Sequence, residues 1–334
     1  MYIVALNTEL VNYHSYTPVY KKLTNFYRDK IIRQEYPPES KIDSITRIMN
    51  RHHVSRETAK LILKNLVEEG LVVSVVGKGT FVAPQNTLKK EWGVVIPIYT
   101  SNMEMLINNL SVEAEKSGRK INHYIDYNNP DEEINIVGTL LNEGLEAIII
   151  VPNFNESLTA KFYKNLNQWK TKVILVDHTM AGSHFNYVVQ SYDLGVKRAM
   201  DYFRTNTRKN LLFVKNEAWR GKNLIFDLIE ETMEGFVMKD SDFDRLFTIS
   251  RINDISLNYL VENKIEGILT STDIDSLRIT GRLKKWGVKM PDEISVISYG
   301  NTELTEFFDP PITAIECHYD KMVSKVSELI SNPK

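Results

Sequence analysis

The stretch GLVVSVVGKGTFVAPQ (Gly70–Gln85) decides how the front of this chain folds. Two β-branched runs flank Gly77-Lys78-Gly79. Valine and threonine favour a pleated strand, and glycines accept the positive φ of a tight turn, so the stretch predicts a β-hairpin with a lysine at its tip. Upstream, Ser55 suits an N-cap and Gly70 a C-terminal stop, which predicts a helix over Arg56–Glu69. Its apolar stripe is Ala59, Ile62, Leu63, Leu66 and Val67. Before the turn RHHV, Asp43-Ser44 opens a short helix with Ile45, Ile48 and Met49 inward. Thr17 as N-cap and Pro18 at the first helical position open a third, earlier helix. Val19, Leu23, Phe26, Tyr27 and Ile31 recur along it at helical spacing, and Pro37-Pro38 ends the pattern. Three helices and a hairpin, with a short turn between the second and third helices, predict an α+β winged helix-turn-helix.

Charge is distributed unevenly. Thr17–Lys90 holds 14 Lys and Arg against 7 Asp and Glu, whereas Glu91–Lys334 holds 27 against 35. A basic front on an acidic body predicts a polyanion partner for one end only. Arg56, Lys60 and Lys64 fall at i, i+4 and i+8 on one flank of the third helix. Ser55, Arg56 and Thr58 lie at its N-terminal end, where a recognition helix meets bases and phosphates. Lys78, supported by Gly77 and Gly79, is placed to reach DNA from the wing tip. Any one of these features alone also suits a solvated helix face or a plain hairpin.

The order of elements is more specific. VSRETAKLILKNLVEEGLVVSVVGKGTFV (Val54–Val82) resembles the GntR family of bacterial transcription regulators, with its VSR-T, EGL and G-GTFV pattern. The resemblance covers Thr17 to Ala83 and implies that Ser44, Arg56, Lys60 and Lys78 touch DNA. The family's second-helix arginine falls on Thr46, with Arg47 beside it as the substitute contact. The first wing strand is LVVSVV where relatives carry charges, so the wing has a surface suited to packing as well as to DNA.

The whole chain has 334 residues, enough for two or three domains, and at 43% hydrophobic and 25% charged residues it has an ordinary globular composition. Apolar runs such as Ala147–Val151 are strand-sized, too short to span a bilayer. The start, MYIVALNTELVNYHSY, lacks a basic region and a sustained apolar core, so it is not expected to be a signal peptide. Cys317 is the sole cysteine, which excludes an internal disulfide and points to a reducing cytoplasm.

Beyond the polar APQNTLKK, apolar strand candidates begin at Trp92, Ala147, Lys172, Asn210, Gly267 and Ile294, with amphipathic stretches between most of them. Near-continuous apolar strands alternating with helices predict parallel sheets covered on both faces. The expected architecture is an α/β body of two lobes, each a doubly wound parallel sheet, with a ligand cleft between them. The divisions expected are an N-terminal extension over 1–16, the winged module over 17–83, a linker over 84–91 and the effector-binding and dimerisation body over 92–331.

GVKMPDEISVISYGNTELTEFFDPPITAI resembles the closing signature of LacI/GalR-type effector domains, which are related to periplasmic sugar-binding proteins. GILTSTDIDSLRITGRLKKWG matches the unit before it and YVVQSYDLGVKRAMDYF the start of the second lobe. A GntR-type reader joined to such a body is similar to arabinose-repressor-type regulators. The resemblance implies that Asp177 clamps sugar hydroxyls. It also shows three departures: the FDD aspartate falls on Gly300 with Asn301 next, the asparagine before Asp273 is Thr272, and an expected arginine falls on Thr232. A different polar set must then serve, and Tyr99, Asn102, Asn128, Asn153, His178, Ser191, Arg220, Asp273 and Asn301 stand at or near predicted strand ends. For Asp273 the plainer alternative is a helix N-cap.

An enzyme and a plain sugar-binding protein are the rival readings. GKGT lacks the GK[ST] of a phosphate loop and joins two strands instead of opening a helix. Cys317 and His318 are expected to point to opposite faces of a strand, and His52-His53 have no metal-binding company in the sequence. No cofactor or metal is called for. A sugar-binding protein would lack the basic module and carry an export signal. The expectation is a cytoplasmic, non-enzymatic transcription regulator, a repressor. It acts as a homodimer on a palindromic double-stranded DNA operator and responds to a monosaccharide such as L-arabinose or L-fucose.

Overall fold

A computed structural model describes residues 18–84, 88–153, 156–164, 166, 169–177, 179–180, 184–215 and 224–332. The chain divides into two compact units, Met1–Gln85 and Asn86–Lys334.

The first unit contains α1 (Val19–Ile32), α2 (Ile45–His52), α3 (Arg56–Glu68) and the antiparallel pair β1 (Val72–Val75) and β2 (Gly79–Val82). Ser44 and Ser55 cap α2 and α3, accepting from Arg47 N at 3.3 Å and Thr58 N at 3.1 Å. Gly70, at φ 72°, closes α3 by letting its N–H reach Val67 O at 2.9 Å and that of Leu71 reach Leu66 O at 3.0 Å. Tyr27, Ile31, Ile48, Ala59, Ile62, Leu66, Val72 and Val82 form the core. Two details correct the sequence reading. Pro18 is the N-cap of α1, with extended backbone, so the helix starts one residue later than expected; Thr17 lies outside the described residues. Val19 and Phe26 are 53% and 38% exposed, because the face of α1 turned to the core runs through Thr24, Tyr27 and Ile31.

The second unit opens with β3 (Lys89–Ile96), so Lys89–Glu91 of the expected linker are strand. The first lobe continues through α4 (Ser101–Lys116), β4 (Lys120–Ile125), α5 (Pro130–Glu143), β5 (Leu145–Ile150), α6 (Glu156–Lys164), β6 (Lys172–Asp177) and β7 (Asn186–Val189). The second lobe holds α7 (Tyr192–Thr205), β8 (Asn210–Val214), α8 (Leu224–Lys239), β9 (Arg245–Ile249), α9 (Leu257–Glu262) and β10 (Gly267–Thr270). It ends with α10 (Asp273–Lys285), β11 (Ser295–Gly300), α11 (Glu303–Glu306) and β12 (Thr313–Glu316). The last helix, α12 (Tyr319–Ser331), returns to pack on α4 and β7 of the first lobe. The sheets run β4-β3-β5-β6-β7 and β12-β11-β10-β8-β9, each wholly parallel.

Both sheets therefore have the same doubly wound order, which reverses direction beside the first strand of each lobe. One apolar cluster is shared by the lobes: Val94, Ile96 and Leu106 from the first join Phe213, Ile229 and Leu269 from the second. Separate clusters cover the outer faces, around Leu140 and Ile150 and around Ile268 and Ile279. β12 ends at Glu316, and His318 caps α12 at φ 47°, so Cys317 and His318 lie in a crossover between lobes and not in the strand expected for them.

Two fully buried carboxylates sit where β4 meets α5. Asp126 accepts from Asn128 N at 2.7 Å, and Glu133 accepts from Tyr163 Oη at 2.8 Å and Asn153 N at 2.5 Å. Burial first, and then the neighbouring Glu133, pushes Asp126 up to about 7; burial does the same to Glu133. A carboxyl whose folded value is raised stabilises the fold while protonated, and this contribution is lost as pH rises from its ordinary value near 4 through about 7. The melting temperature of the body should rise as pH is lowered from about 8 to 5.5, by the equivalent of about 2 kcal/mol. Glu133→Gln should flatten that dependence, as scanning calorimetry at several pH values would record; an unchanged slope would contradict this account of the pair.

Candidate nucleic-acid interface and ligand cleft

In the first unit a buried aspartate organises the basic surface of α2. Asp43, 4% exposed, accepts from the Tyr27 hydroxyl at 2.9 Å and from Arg51 Nη1, and faces Arg47 Nε at 3.2 Å. The Tyr27 hydroxyl also meets His52 Nε2 at 3.1 Å. Burial, then Asp43, raises the Tyr27 phenol, and burial, then Arg51, lowers the His52 imidazole. Arg47 is thus tethered while its side chain stays 69% exposed.

On α3, Ser55 bonds both Thr58 N and the Thr58 hydroxyl, the latter at 2.9 Å, which leaves Arg56 projecting beside the helix N-terminus. Arg56 is exposed and has no ion pair among the described residues. Lys60 pairs with Glu57 at 2.9 Å and Lys64 with Glu68 at 3.6 Å, exposed contacts that a phosphate can displace at small cost. Lys78 is exposed at the wing tip between Gly77 at φ 74° and Gly79 at φ 121°, also without an ion pair among the described residues. The expected residues thus occupy three places on one small module: the starts of α2 and α3, and the wing. Val73 and Val75 are 40% exposed and Val76 fully so, leaving the wing strand with an apolar outer surface.

The ligand cleft lies at the carboxyl ends of the strands in both lobes, beside the points where sheet order reverses. Pro97, Ile98 and Val151 come from the first lobe, and Ser271, Thr272 and Tyr299 from the second. Asp177 and Tyr192 flank the crossover into the second lobe. With apolar walls from Met103, Phe226 and Ile229, the described residues enclose about 80 Å³. Asp177 ends β6 at φ 75° and is 8% exposed. Its Oδ1 accepts from Tyr192 Oη at 2.6 Å, and its backbone carbonyl accepts from the same hydroxyl at 3.1 Å. Burial raises the Asp177 carboxyl, only partly offset by the Tyr192 bond. A non-glycine residue in the left-handed region is a strained position of the kind that collects at ligand sites. Asp177 is the one charged side chain lining the cleft among the described residues; nearby Lys215 is turned to Asp227 and Glu230, the latter at 2.9 Å.

The remaining predicted ligand residues separate. Asn102 lines the cleft, and Tyr99 joins it and Asp273 around a small adjoining cavity. Asp273 is structural: it is 1% exposed, and accepts from the Ser298 hydroxyl and from Thr302 N at 2.6 Å. The N-cap of α10 is Thr272, accepting from Asp275 N at 3.4 Å, so the helix-cap alternative for Asp273 does not hold. Ser191 bonds Asp193 at 2.7 Å and faces an outer groove, away from the cleft. Asn128, Asn153 and Asn301 are not among the described residues that line the cleft; Asn128 and Asn301 sit at φ 56° and 61°, and the buried Asn153 donates its backbone N–H to Glu133. His178 and Arg220 lie outside the described residues. Sequence reading missed Gln190, Tyr192, Tyr299 and Tyr319; the aromatic residues flanking both crossovers were the available signal.

Comparison with known proteins agrees with this two-part reading. Residues 16–82 match the model of bacterial regulatory proteins of the gntR family, and residues 237–331 match that of a periplasmic binding protein-like domain. The HTH-type transcriptional regulator GalR of Streptococcus thermophilus is 20% identical over 307 residues, covering 87% of this chain and 88% of its own. The arabinose metabolism transcriptional repressor of Halalkalibacterium halodurans is 21% identical over 315 residues, covering 86% and 82%. Among solved structures, the LacI family regulator CCPA from Weissella paramesenteroides with bound sucrose superposes with a TM-score of 0.61 at 14% identity, over 73% of this chain and 92% of that one. A periplasmic binding protein/LacI regulator from Alkaliphilus metalliredigens complexed with D-xylulofuranose gives 0.59 at 18% identity, over 72% and 90%. The chain is a transcriptional regulator in two parts, a helix-turn-helix module that matches the gntR family and a two-lobed body whose residues 237–331 match a periplasmic binding protein-like domain.

Proposed function

We propose that this regulator is a cytoplasmic repressor whose hold on a palindromic operator is controlled by a small neutral sugar in the cleft. Asp177 carries the reading. It is a lone, strained, mostly buried carboxylate at the carboxyl end of a strand, anchored by the tyrosine at the crossover. One carboxylate with Asn102, Gln190 and Thr272 suits several hydroxyl donors, and the apolar walls suit a sugar's C–H face. The Asp177 carboxylate in the wall repels a phosphate and so favours an unphosphorylated ligand. Structures with bound D-xylulofuranose and sucrose among the neighbours support a sugar as the ligand, and the arabinose metabolism repressor among the relatives is what suggests a pentose or 6-deoxyhexose. A thermal-shift screen of monosaccharides and sugar phosphates tests this: a ligand at 100 times its Kd adds about 2.7 kcal/mol. No shift from any sugar, or shifts from phosphorylated sugars alone, would overturn it.

The DNA contacts in this reading come from Ser44 and Arg47, from Ser55, Arg56, Thr58 and Lys60, and from Gly77, Lys78 and Gly79. One such module covers a short site, so a homodimer joined mainly through the bodies supplies the specificity. Arg56→Ala should cost about 1–3 kcal/mol and relax preference at one operator position. Lys78→Ala should weaken binding across sequences and lower the salt slope by about one unit. Anisotropy titrations at several salt concentrations separate the two, and unchanged affinity in both variants would remove these residues from the interface.

A further inference from the structure

The body contains a second and larger concavity on the outside of the hinge. It is an open groove of about 680 Å³, within the range of small-molecule sites. Its walls come from the outermost strands of the two sheets, β7 and β12, and from α7 and α12. Val189 and Leu194 are 40% and 57% exposed in it, with Ile315 and the buried Met322 beneath. At its rim Lys325 pairs with Glu328 at 2.6 Å, and the Glu316 carboxylate stands 3.5 Å from the His318 ring. Arg198 and Lys321 remain, exposed and without an ion pair among the described residues. Gln190, Tyr299 and Cys317 line both this groove and the cleft, so one layer of side chains separates the two cavities.

We propose that this groove is a second ligand site, for a small amphipathic anion whose apolar body lies on Leu194, Ile315 and Met322 and whose charged group meets Arg198 and Lys321. Two unmatched cations beside an apolar floor favour an anionic group over a neutral one, because a charge-assisted hydrogen bond is about twice as strong as a neutral one. Such a molecule touches the same three residues that wall the cleft.

The probe is 8-anilinonaphthalene-1-sulfonate, added to the full chain without DNA or sugar, so the result is independent of the function proposed above. A saturable fluorescence increase is expected. Arg198→Glu and Leu194→Glu should each raise its Kd about tenfold with unchanged melting, since both positions are exposed. If either variant melts lower, Lys321→Ala serves in its place. The uncharged N-phenyl-1-naphthylamine should bind at least tenfold more weakly. No saturable signal, or a signal indifferent to these variants, would overturn the site; equal affinity for the uncharged dye would overturn the assignment of an anion.

Discussion

Gly300→Ala is expected to lower the stability of the body by about 3 kcal/mol or more, and its melting temperature by roughly 6–12 °C. Gly300 ends β11 at φ 148°, a conformation that a side chain rarely adopts. An added Cβ would stand 2.7 Å from Asp273 Oδ2 and 2.8 Å from Asn102 Oδ1. Neither neighbour retreats cheaply: Asp273 is held by the Ser298 hydroxyl and by Thr302 N at 2.6 Å, and Asn102 lies in the cleft wall. Asp273→Ala combined with Gly300→Ala should cost less than the sum of the single changes, since removing the carboxylate removes the Asp273 part of the clash. Thermal melts of the three variants measure this. Wild-type melting of Gly300→Ala would contradict the close approach.

Asp177→Ala is expected to weaken sugar binding about a hundredfold, the loss of about two charge-assisted hydrogen bonds, while leaving ligand-free operator binding intact. The fold should tolerate the change. The Tyr192 hydroxyl keeps the Asp177 backbone carbonyl, at 3.1 Å, as an acceptor. Asp177→Asn is the control for shape: it keeps the outline and the polarity of the side chain and loses the charge. Calorimetric titration with the sugar found in the screen, alongside anisotropy titration with operator, reads both effects. Wild-type sugar affinity in Asp177→Ala would remove the residue from the site, and lost operator binding would show that the change had damaged more than the cleft.

Much of the fold was legible because burial writes itself into the sequence. The central strands β3, β5, β6, β8, β10 and β11 are covered on both faces and read as continuous apolar runs. Of the four sheet edges, β4, β7 and β9 were left unread, and β12 was read only as a strand running on through Cys317 and His318. Their burial is mixed along their length, as in the Lys120–Ile125 and Thr313–Glu316 segments, so they carry no apolar run to detect. The hairpin and the caps at Ser44 and Ser55 depend on residues adjacent in sequence, and they were legible for that reason. The cleft was harder. Asp177 stood out at the end of an apolar strand, but Tyr192, Tyr299 and Tyr319 meet it only through long-range packing across two crossovers. Asp273 and Asn153 bond their own loops, and sequence alone does not tell a polar residue at a strand end that serves its loop from one that serves a ligand. Asp43 was read only as part of the helix start: its role in holding the arginines rests on Tyr27, 16 residues earlier, coming within 2.9 Å.

The central claim is that one protein binds operator through its winged module and a sugar in its cleft, and that the two select different states of the dimer. Such coupling is typically about 1–3 kcal/mol, and it must act equally in both directions. The most direct test measures operator Kd with and without saturating sugar, and sugar Kd with and without saturating operator, on the full-length protein. The account predicts that sugar weakens operator binding by about 5- to 150-fold and that operator weakens sugar binding by the same factor. A sugar that binds tightly and leaves operator affinity unchanged would contradict it.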